Sequence, residues 1–348
     1  MTAALPSIRL TDVLHVGSQR DASDIHLVPG LAPALRVDGE LAFLSGSPLT
    51  AQETSDIARA LLEAEGFGRL ESGFDVSAAR VTDEGLVLRI HGFRSSQGCT
   101  LAIRLLNKQI PTLESLHLPP VVATLAQRDR GLVIFAGPTG SGKSTSLAAL
   151  VAGLDETRTR RIITIEDPIE YRYQSGRSLI TQREIGRDAP SFSSALLGAL
   201  RADPDVIVLG EMREIAAMRA ALTAAETGHL VLTTLHTGSA VQTIERIVDA
   251  FSGSEQAQVR SQLAQCLSAV VCQRLVARKH GSRRRAAVEV LLVNDAVRAM
   301  IRESRTHLIR NAMTTGRQLG MQTLEHHLTE LALGNEIDAE TARRSSEN

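Results

Sequence analysis

Lys143, Ser144 and Thr145 close a segment, Gly131–Thr145, that reads GLVIFAGPTGSGKST and carries the most specific chemistry in this chain of 348 residues. An apolar run, Leu132–Phe135, meets a turn made of Gly137, Pro138, Thr139, Gly140, Ser141 and Gly142. Every fixed position of G-x-x-x-x-G-K-[ST] is filled, the pattern of a phosphate-binding loop set between a strand and a helix. Glycines let the backbone turn its N–H groups toward phosphate oxygens. The N-terminus of the following helix, expected over Ser146–Leu154, favours negative charge. Lys143 is placed to reach the β- and γ-phosphates, and the Ser144 hydroxyl to ligate Mg²⁺. The pattern predicts that the chain binds a nucleoside triphosphate.

The elements that must position any further chemistry follow the loop. Apolar runs at Arg161–Ile165, Asp205–Leu209 and Leu230–Leu235 alternate with helical patterns at Ser191–Arg201 and Glu214–Glu226, the latter closed by Thr227-Gly228. Strand–helix alternation implies a parallel sheet, and ligands sit outside the carboxyl ends of such strands. That rule sorts the candidates. Glu166 and Asp167 follow one strand and fall at the phosphate edge. Asp205 opens a strand that Glu211 closes, and six residues of strand span about 20 Å, so Asp205 cannot share the site with Glu211. His229 begins its strand and His236 ends it, about 23 Å apart, so His236 is the candidate.

Hydrolysis needs an aligned water, a divalent cation and positive groups against charge developing on the γ-phosphate. Glu211 suits the base or water-positioning role, and Gly210 before it is expected to leave room for close approach. Glu166 is the second candidate, acting through a water or on Mg²⁺, with Asp167 weaker. Ser144, Glu166 and Glu211 form the candidate metal set. His236 is placed to sense the γ-phosphate by hydrogen bonding.

Residues 1–108 read as a mixed α/β domain. Strands are expected at Ile25–Val28, Ala34–Val37, Leu86–His91 and Leu101–Leu106, and a helix over Thr50–Ala64 opened by a Thr50/Glu53 capping box. Asp24 and His26 read as a surface pair on a strand. Pro111, Pro119 and Pro120 mark residues 109–128 as a linker, with a short helix at Val121–Gln127. Residues 129–348 form the second domain. From Ser254 it is expected to be largely helical, over Ser254–Leu275, Asp295–Glu303, Thr306–Thr314 and Thr323–Leu333, with one further strand at Ala287–Val293.

Composition narrows the function class. A net charge of −1, no Trp and 3% aromatic residues argue against a general nucleic-acid or membrane-surface binder. Three widely spaced cysteines suggest neither a disulfide framework nor a zinc site. No run of about 18 apolar residues is present, so no direct membrane insertion is expected and a cytoplasmic location follows, with any membrane association coming through partners.

Four segments together resemble the Walker A, Asp box, Walker B and His box of secretion ATPases, the motors of type II secretion and type IV pili. They are Gly137–Thr145, Ile163–Tyr171, Asp203–Arg213 and Thr227–Thr237. Likeness extends to Ala22–Leu27, Arg36–Gly39, Gln182–Glu184 and Leu319–Leu324, and so covers nearly the whole chain. Within that superfamily the chain resembles the pilus retraction (twitching motility) ATPases. It lacks the C-x₂-C pairs of a zinc module, and Asp295–Glu303 is similar to their C-terminal helix motif. The resemblance implies a RecA-like P-loop NTPase domain preceded by a smaller PAS-like α/β domain, in a homohexamer. It also implies ATP and Mg²⁺ at subunit interfaces and torque delivered to an inner-membrane pilus platform protein.

It further implies arginine fingers on the last strands of the first domain. Arg89 and Arg104 match these, while the position between them reads Gln97, with Arg94 three residues away. A finger is worth about 10³-fold or more in rate, so slow hydrolysis is expected. Leu197 stands where the family often has another Arg, before Arg201. Three other readings remain open: an accessory retraction or extension/secretion ATPase of the same superfamily, a RecA-like nucleic-acid motor, and a nucleotide-binding regulator that does not hydrolyse.

Overall fold

The computed structural model describes residues 8–37, 39–82, 86–106, 110–280 and 284–347. The chain divides into two compact units, Met1–Gln109 and Ile110–Asn348. In the first, helices α1 (Ile8–Gln19), α2 (Ala51–Leu61) and α3 (Glu63–Glu71) accompany strands β1 (Asp24–Leu27), β2 (Ala34–Val37), β3 (Glu40–Phe43), β4 (Val76–Val81), β5 (Val87–Ser95) and β6 (Gly98–Leu106). The sheet is antiparallel throughout, in the order β3-β2-β1-β6-β5-β4. Alternation sends Ile25, Leu27, Leu35, Leu88, Ile90, Leu101 and Ile103 into one core with Ile57, Leu61 and Leu70 of the helices. Asp24, Arg36, Arg89 and Arg104 consequently share the opposite face.

The expected helix over Thr50–Ala64 is two helices. Its start is as read, with Thr50 accepting from the Glu53 N–H and the Glu53 carboxylate accepting from the Thr50 N–H at 2.7 Å. The break falls at Glu63, which takes a left-handed φ of +58° that a continuous helix cannot hold. Strands β3 (ELAF) and β4 (VSAARV) lie outside the expected strands; neither contributes a fully buried residue, so no clear inward-facing alternation of apolar side chains marks them.

The second unit contains helices α4 (Pro120–Thr124), α5 (Lys143–Thr157), α6 (Phe192–Ala199), α7 (Ile215–Glu226), α8 (Ala240–Asp249), α9 (Gly253–Cys266), α10 (Asp295–Arg302), α11 (Ile309–Thr315), α12 (Leu324–Leu333) and α13 (Ala339–Glu347). Its strands are β7 (Gly131–Ala136), β8 (Arg161–Glu166), β9 (Leu179–Glu184), β10 (Val206–Leu209), β11 (Leu230–Leu235), β12 (Leu267–Ala277) and β13 (Arg284–Leu292). They form one sheet in the order β13-β12-β7-β11-β10-β8-β9, parallel except for β13.

Strand β7 is buried on both faces. Leu132 and Ile134 meet Ile163, Ile207 and Val231 beneath α6 and α7, while Val133 and Phe135 meet Leu150, Val151 and Leu154 of α5. Burying each such side chain is worth about 1.5–3 kcal/mol, so the strand carrying the phosphate loop is firmly seated. Leu118, Val122 and Leu125, from the proline-marked segment 110–128, belong to the same core.

One expectation fails outright: residues 254–275 are not a single helix. The helix stops at Cys266, and Leu267–Ala277 runs as β12 between β7 and β13. Its residues Leu267–Gln273 are buried, and the apolar stretch Ala269–Cys272 within them has no period by which a central parallel strand could be told from a buried helix. No helix among the described residues is long and apolar enough to cross a membrane.

Candidate active site

The phosphate loop leaves β7 at Gly137, whose φ is +146°. A Cβ there would lie 2.3 Å from the Gln273 carbonyl oxygen and 2.6 Å from Ser141 Oγ, so only glycine fits. Gly140 (φ +76°) and Gly142 (φ +87°) complete the turn, and Gly142 caps α5 from the left-handed region. Pro138, Thr139 and Gly140 form its exposed rim. Lys143 opens the helix and is buried, its ammonium donating to the carbonyls of Gly137 at 2.8 Å and Pro138 at 2.9 Å. Burial pulls its pKa below the ordinary lysine value, while the carboxylates of Glu211 and Glu170 oppose that pull. Ser144 is exposed on the first turn, and the Thr145 hydroxyl bonds the Tyr171 hydroxyl at 2.9 Å.

Glu211 is fixed by backbone bonds across three strand ends. Gly210 N–H donates to the Ile165 carbonyl at 2.8 Å, Thr234 Oγ1 donates to the Gly210 carbonyl at 2.6 Å, and Met212 N–H donates to the Thr234 carbonyl at 3.2 Å. The Glu211 side chain is 16% exposed, with Arg213 Nε at 2.7 Å from one oxygen and His236 Nε2 at 3.4 Å from the other. The fold thus joins Glu211 and His236 directly. A methyl at Gly210 would lie 3.4 Å from the Glu166 Cα and 3.5 Å from the Ile165 carbonyl oxygen.

Glu166 ends β8 and accepts from Thr164 Oγ1 at 2.6 Å and Gln182 Nε2 at 3.1 Å. Burial raises its pKa, and those hydrogen bonds only partly offset the rise. Asp167 is exposed beside it. At the opposite end of the sheet, Asp205 accepts from the Arg161 N–H at 2.7 Å and pairs with Arg160. His229 Nδ1 lies 3.0 Å from the Ala224 carbonyl, also at an amino end.

In the first unit Arg89 and Arg104 stand directly opposite each other on β5 and β6. Arg104 pairs with Asp24 at 3.0 Å. Arg89 is exposed and makes no ion pair among the described residues. Like charges facing across a ladder repel, and the Asp24 carboxylate on the neighbouring strand offsets the Arg104 charge. Gln97 lies in the β5–β6 turn, and Arg94 is exposed opposite Cys99.

One observation favours a phosphate group at the loop: Ser141 Oγ is buried with no hydrogen-bond partner among the described residues. For Mg²⁺, the Ser144 hydroxyl with Glu166 and Glu211 offers hard oxygen donors. Among the described residues no cluster of three His, Cys, Asp or Glu side chains could hold a metal alone. Mg²⁺ suits that arrangement, since it is bound by one or two protein oxygens together with phosphates and water.

Four residues at the site were given no role in the sequence reading. Gln273 bonds Ser146 at 2.8 Å and lies against the loop glycines. Glu170 acts on Lys143, Tyr171 bonds Thr145, and Thr234 holds Gly210. Reading 254–275 as helix hid Gln273, although the paired Val270-Val271 in that run favours a strand.

Residues 14–341 match the family model for type II/IV secretion system proteins. The chain belongs to that family. Among its members, the type IV pilus retraction ATPase PilT of Pseudomonas aeruginosa is 40% identical over 344 residues, covering 97% of this chain and 98% of the relative. A twitching motility protein of Neisseria gonorrhoeae is 39% identical, covering 91% and 84%. A crystal structure of the pilus retraction motor PilT with bound ADP superimposes with a TM-score of 0.89 at 38% identity, covering 98% of each chain. The two-part α/β architecture, a small N-terminal domain before an ATPase domain, is therefore the family's.

Proposed function

We propose that this chain is a hexameric ATPase motor that drives type IV pilus retraction. The observation that carries the reading is the convergence of Lys143, Glu211 and His236 on one sheet edge, in a chain alike over its length to a pilus retraction ATPase. ATP enters with its phosphates on the loop amides of Gly137–Lys143 and its γ-phosphate toward Glu211. Glu211 orients and deprotonates the attacking water, and His236 bonds a γ-phosphate oxygen. Lys143 moves from the loop carbonyls onto the β- and γ-phosphates. Ser144 with Glu166 or Glu211 would hold Mg²⁺, which would supply positive charge against the charge developing on the phosphates.

Arg89 and Arg104 of a neighbouring subunit supply the remaining cations, and closure of that neighbour's residues 1–108 against this subunit's residues 129–348 is the working stroke. The boundary between the moving parts lies within 109–128. The partner is an inner-membrane pilus platform protein, which sets the motor at the cytoplasmic face of the membrane.

The test is a gene deletion complemented by Lys143→Ala. Surface pili accumulating without twitching, unrelieved by a Lys143→Ala protein that still assembles, is the expected result. Loss of surface pili would instead assign extension, and unchanged ATP turnover by Lys143→Ala would overturn the site.

A further inference from the structure

A cavity of about 570 Å³ opens beside the phosphate loop. The loop rim Pro138–Ser141 and residues 236–238 line it, and its remaining wall comes from β12, β13 and α13. Three arginines, Arg274, Arg284 and Arg344, face it together with His236; Arg344 is paired with Glu340, and among the described residues no carboxylate lines the cavity. Such a lining suits a polyanion, and it lies wholly within one subunit.

Arg274 is the best positioned of the three. Its neighbour Gln273 locks that part of β12 against Gly137 and Ser146, so the Arg274 backbone is fixed relative to the loop. Its Nη2 sits where a methyl on Gly238 would come within 3.6 Å, two residues past His236. Its Nη1 donates to the Ser345 carbonyl at 3.0 Å. Ser345 lies in the last turn of α13, where carbonyls have no helical N–H partner and carry the negative end of the helix dipole. The guanidinium thus bridges the loop that carries His236 and the C-terminal helix. A phosphate oxygen is the stronger acceptor, because it meets the guanidinium as one full charge meeting another, whereas the carbonyl offers only a partial charge.

We infer that Arg274 is a phosphate-binding residue acting on its own subunit's nucleotide, with the Ser345 carbonyl as a competing acceptor. Triphosphate entering the cavity draws the guanidinium from Ser345 and releases the end of α13. ATP occupancy is thereby coupled to the freedom of the C-terminal helix. This rests on the loop binding ATP, as proposed above.

The experiment is a double-mutant cycle on the full chain, with a fluorescent non-hydrolysable ATP analogue as ligand. Its corners all carry Arg344→Ala, so that loss of that cation is common to every one; they are this parent, Arg274→Ala, a chain stopped before Arg343, and the combination. Arg274→Ala should weaken binding about tenfold or more, the loss expected for a hydrogen bond to a charged group. Arg274→Lys, which keeps the charge but not the fork, should fall between. The shortened chain should bind several-fold more tightly, and that gain should vanish in the Arg274→Ala background. Amide exchange in α13 of the wild type should rise when the analogue is added. An unchanged affinity in Arg274→Ala, or a truncation effect of the same size in both backgrounds, would overturn the inference. Failure of the wild type to bind the analogue would instead defeat the proposed function.

Discussion

Glu211→Gln separates the proposed chemistry from everything that holds the site together. The bonds that place residue 211 run through the backbone of Gly210 and Met212 and the Thr234 side chain, so the substitution leaves them intact. Glutamine matches the shape and keeps a carbonyl oxygen for Arg213, now 2.7 Å from the carboxylate. What it removes is a base at the carboxyl end of β10, beside His236 at 3.4 Å. A positioned general base contributes about 10²–10⁴-fold, equivalent to about 2.7–5.4 kcal/mol of barrier. Binding should move the other way or not at all, because a negative charge near Lys143 and the triphosphate is lost. The assay pairs single-turnover ATP hydrolysis, with enzyme in excess, with titration of a fluorescent ATP analogue. The expected outcome is a turnover loss of at least about 100-fold with affinity unchanged or tighter. Hydrolysis within tenfold of wild type would refute the assignment of Glu211 as base, and a matching loss of affinity would show that the residue merely shapes the pocket.

Three further outcomes follow from the same structure. Gly137→Ala forces a side chain into a φ of +146° and a Cβ to 2.3 Å from Gln273 O, so stability should fall by about 2–5 kcal/mol in denaturant unfolding and nucleotide binding should disappear. Asp155, buried, accepts from Gly176 N–H at 2.8 Å and Ser178 N–H at 2.6 Å; Asp155→Ala orphans both and should cost about 2–5 kcal/mol, with Asp155→Asn losing less because one acceptor remains. Glu289 accepts from the Ala240 N–H at 2.7 Å, among Cys272 of β12, Glu325 of α12 and Arg310 of α11. Burial raises its pKa above the ordinary glutamate value, with Glu325 adding to the rise. The folded state therefore holds its proton longer than the unfolded chain, and stability falls as pH climbs from the ordinary value through the raised one. Unfolding free energies measured across that window should show a shallower fall in Glu289→Gln than in wild type. Equal slopes would mean the carboxyl titrates alike in both states.

What the chain determined by itself is whatever depends on neighbours in sequence. Gly137, Gly142 and Lys143 specify the phosphate loop because a turn of positive φ, a helix start and a cation are all set within a few residues. The rule that strand ends face the ligand then separated Glu211 from Asp205 and His236 from His229, since a strand has a direction and a fixed rise per residue. The capping box at Thr50 and Glu53 was equally local.

Tertiary structure alone decided the contacts between residues far apart in the chain. Strand β12 forms because β7, more than a hundred residues earlier, offers it a parallel edge and covers one side while β13 covers the other. An apolar run with no period to read cannot declare that beforehand. Only with β12 in place do Gln273 and Arg274 reach the phosphate loop. The break at Glu63, the facing of Arg89 and Arg104, and the bond from Arg274 to Ser345 have the same origin. Each is set by which surfaces meet after the core closes, and burial free energy selects that meeting rather than any local preference.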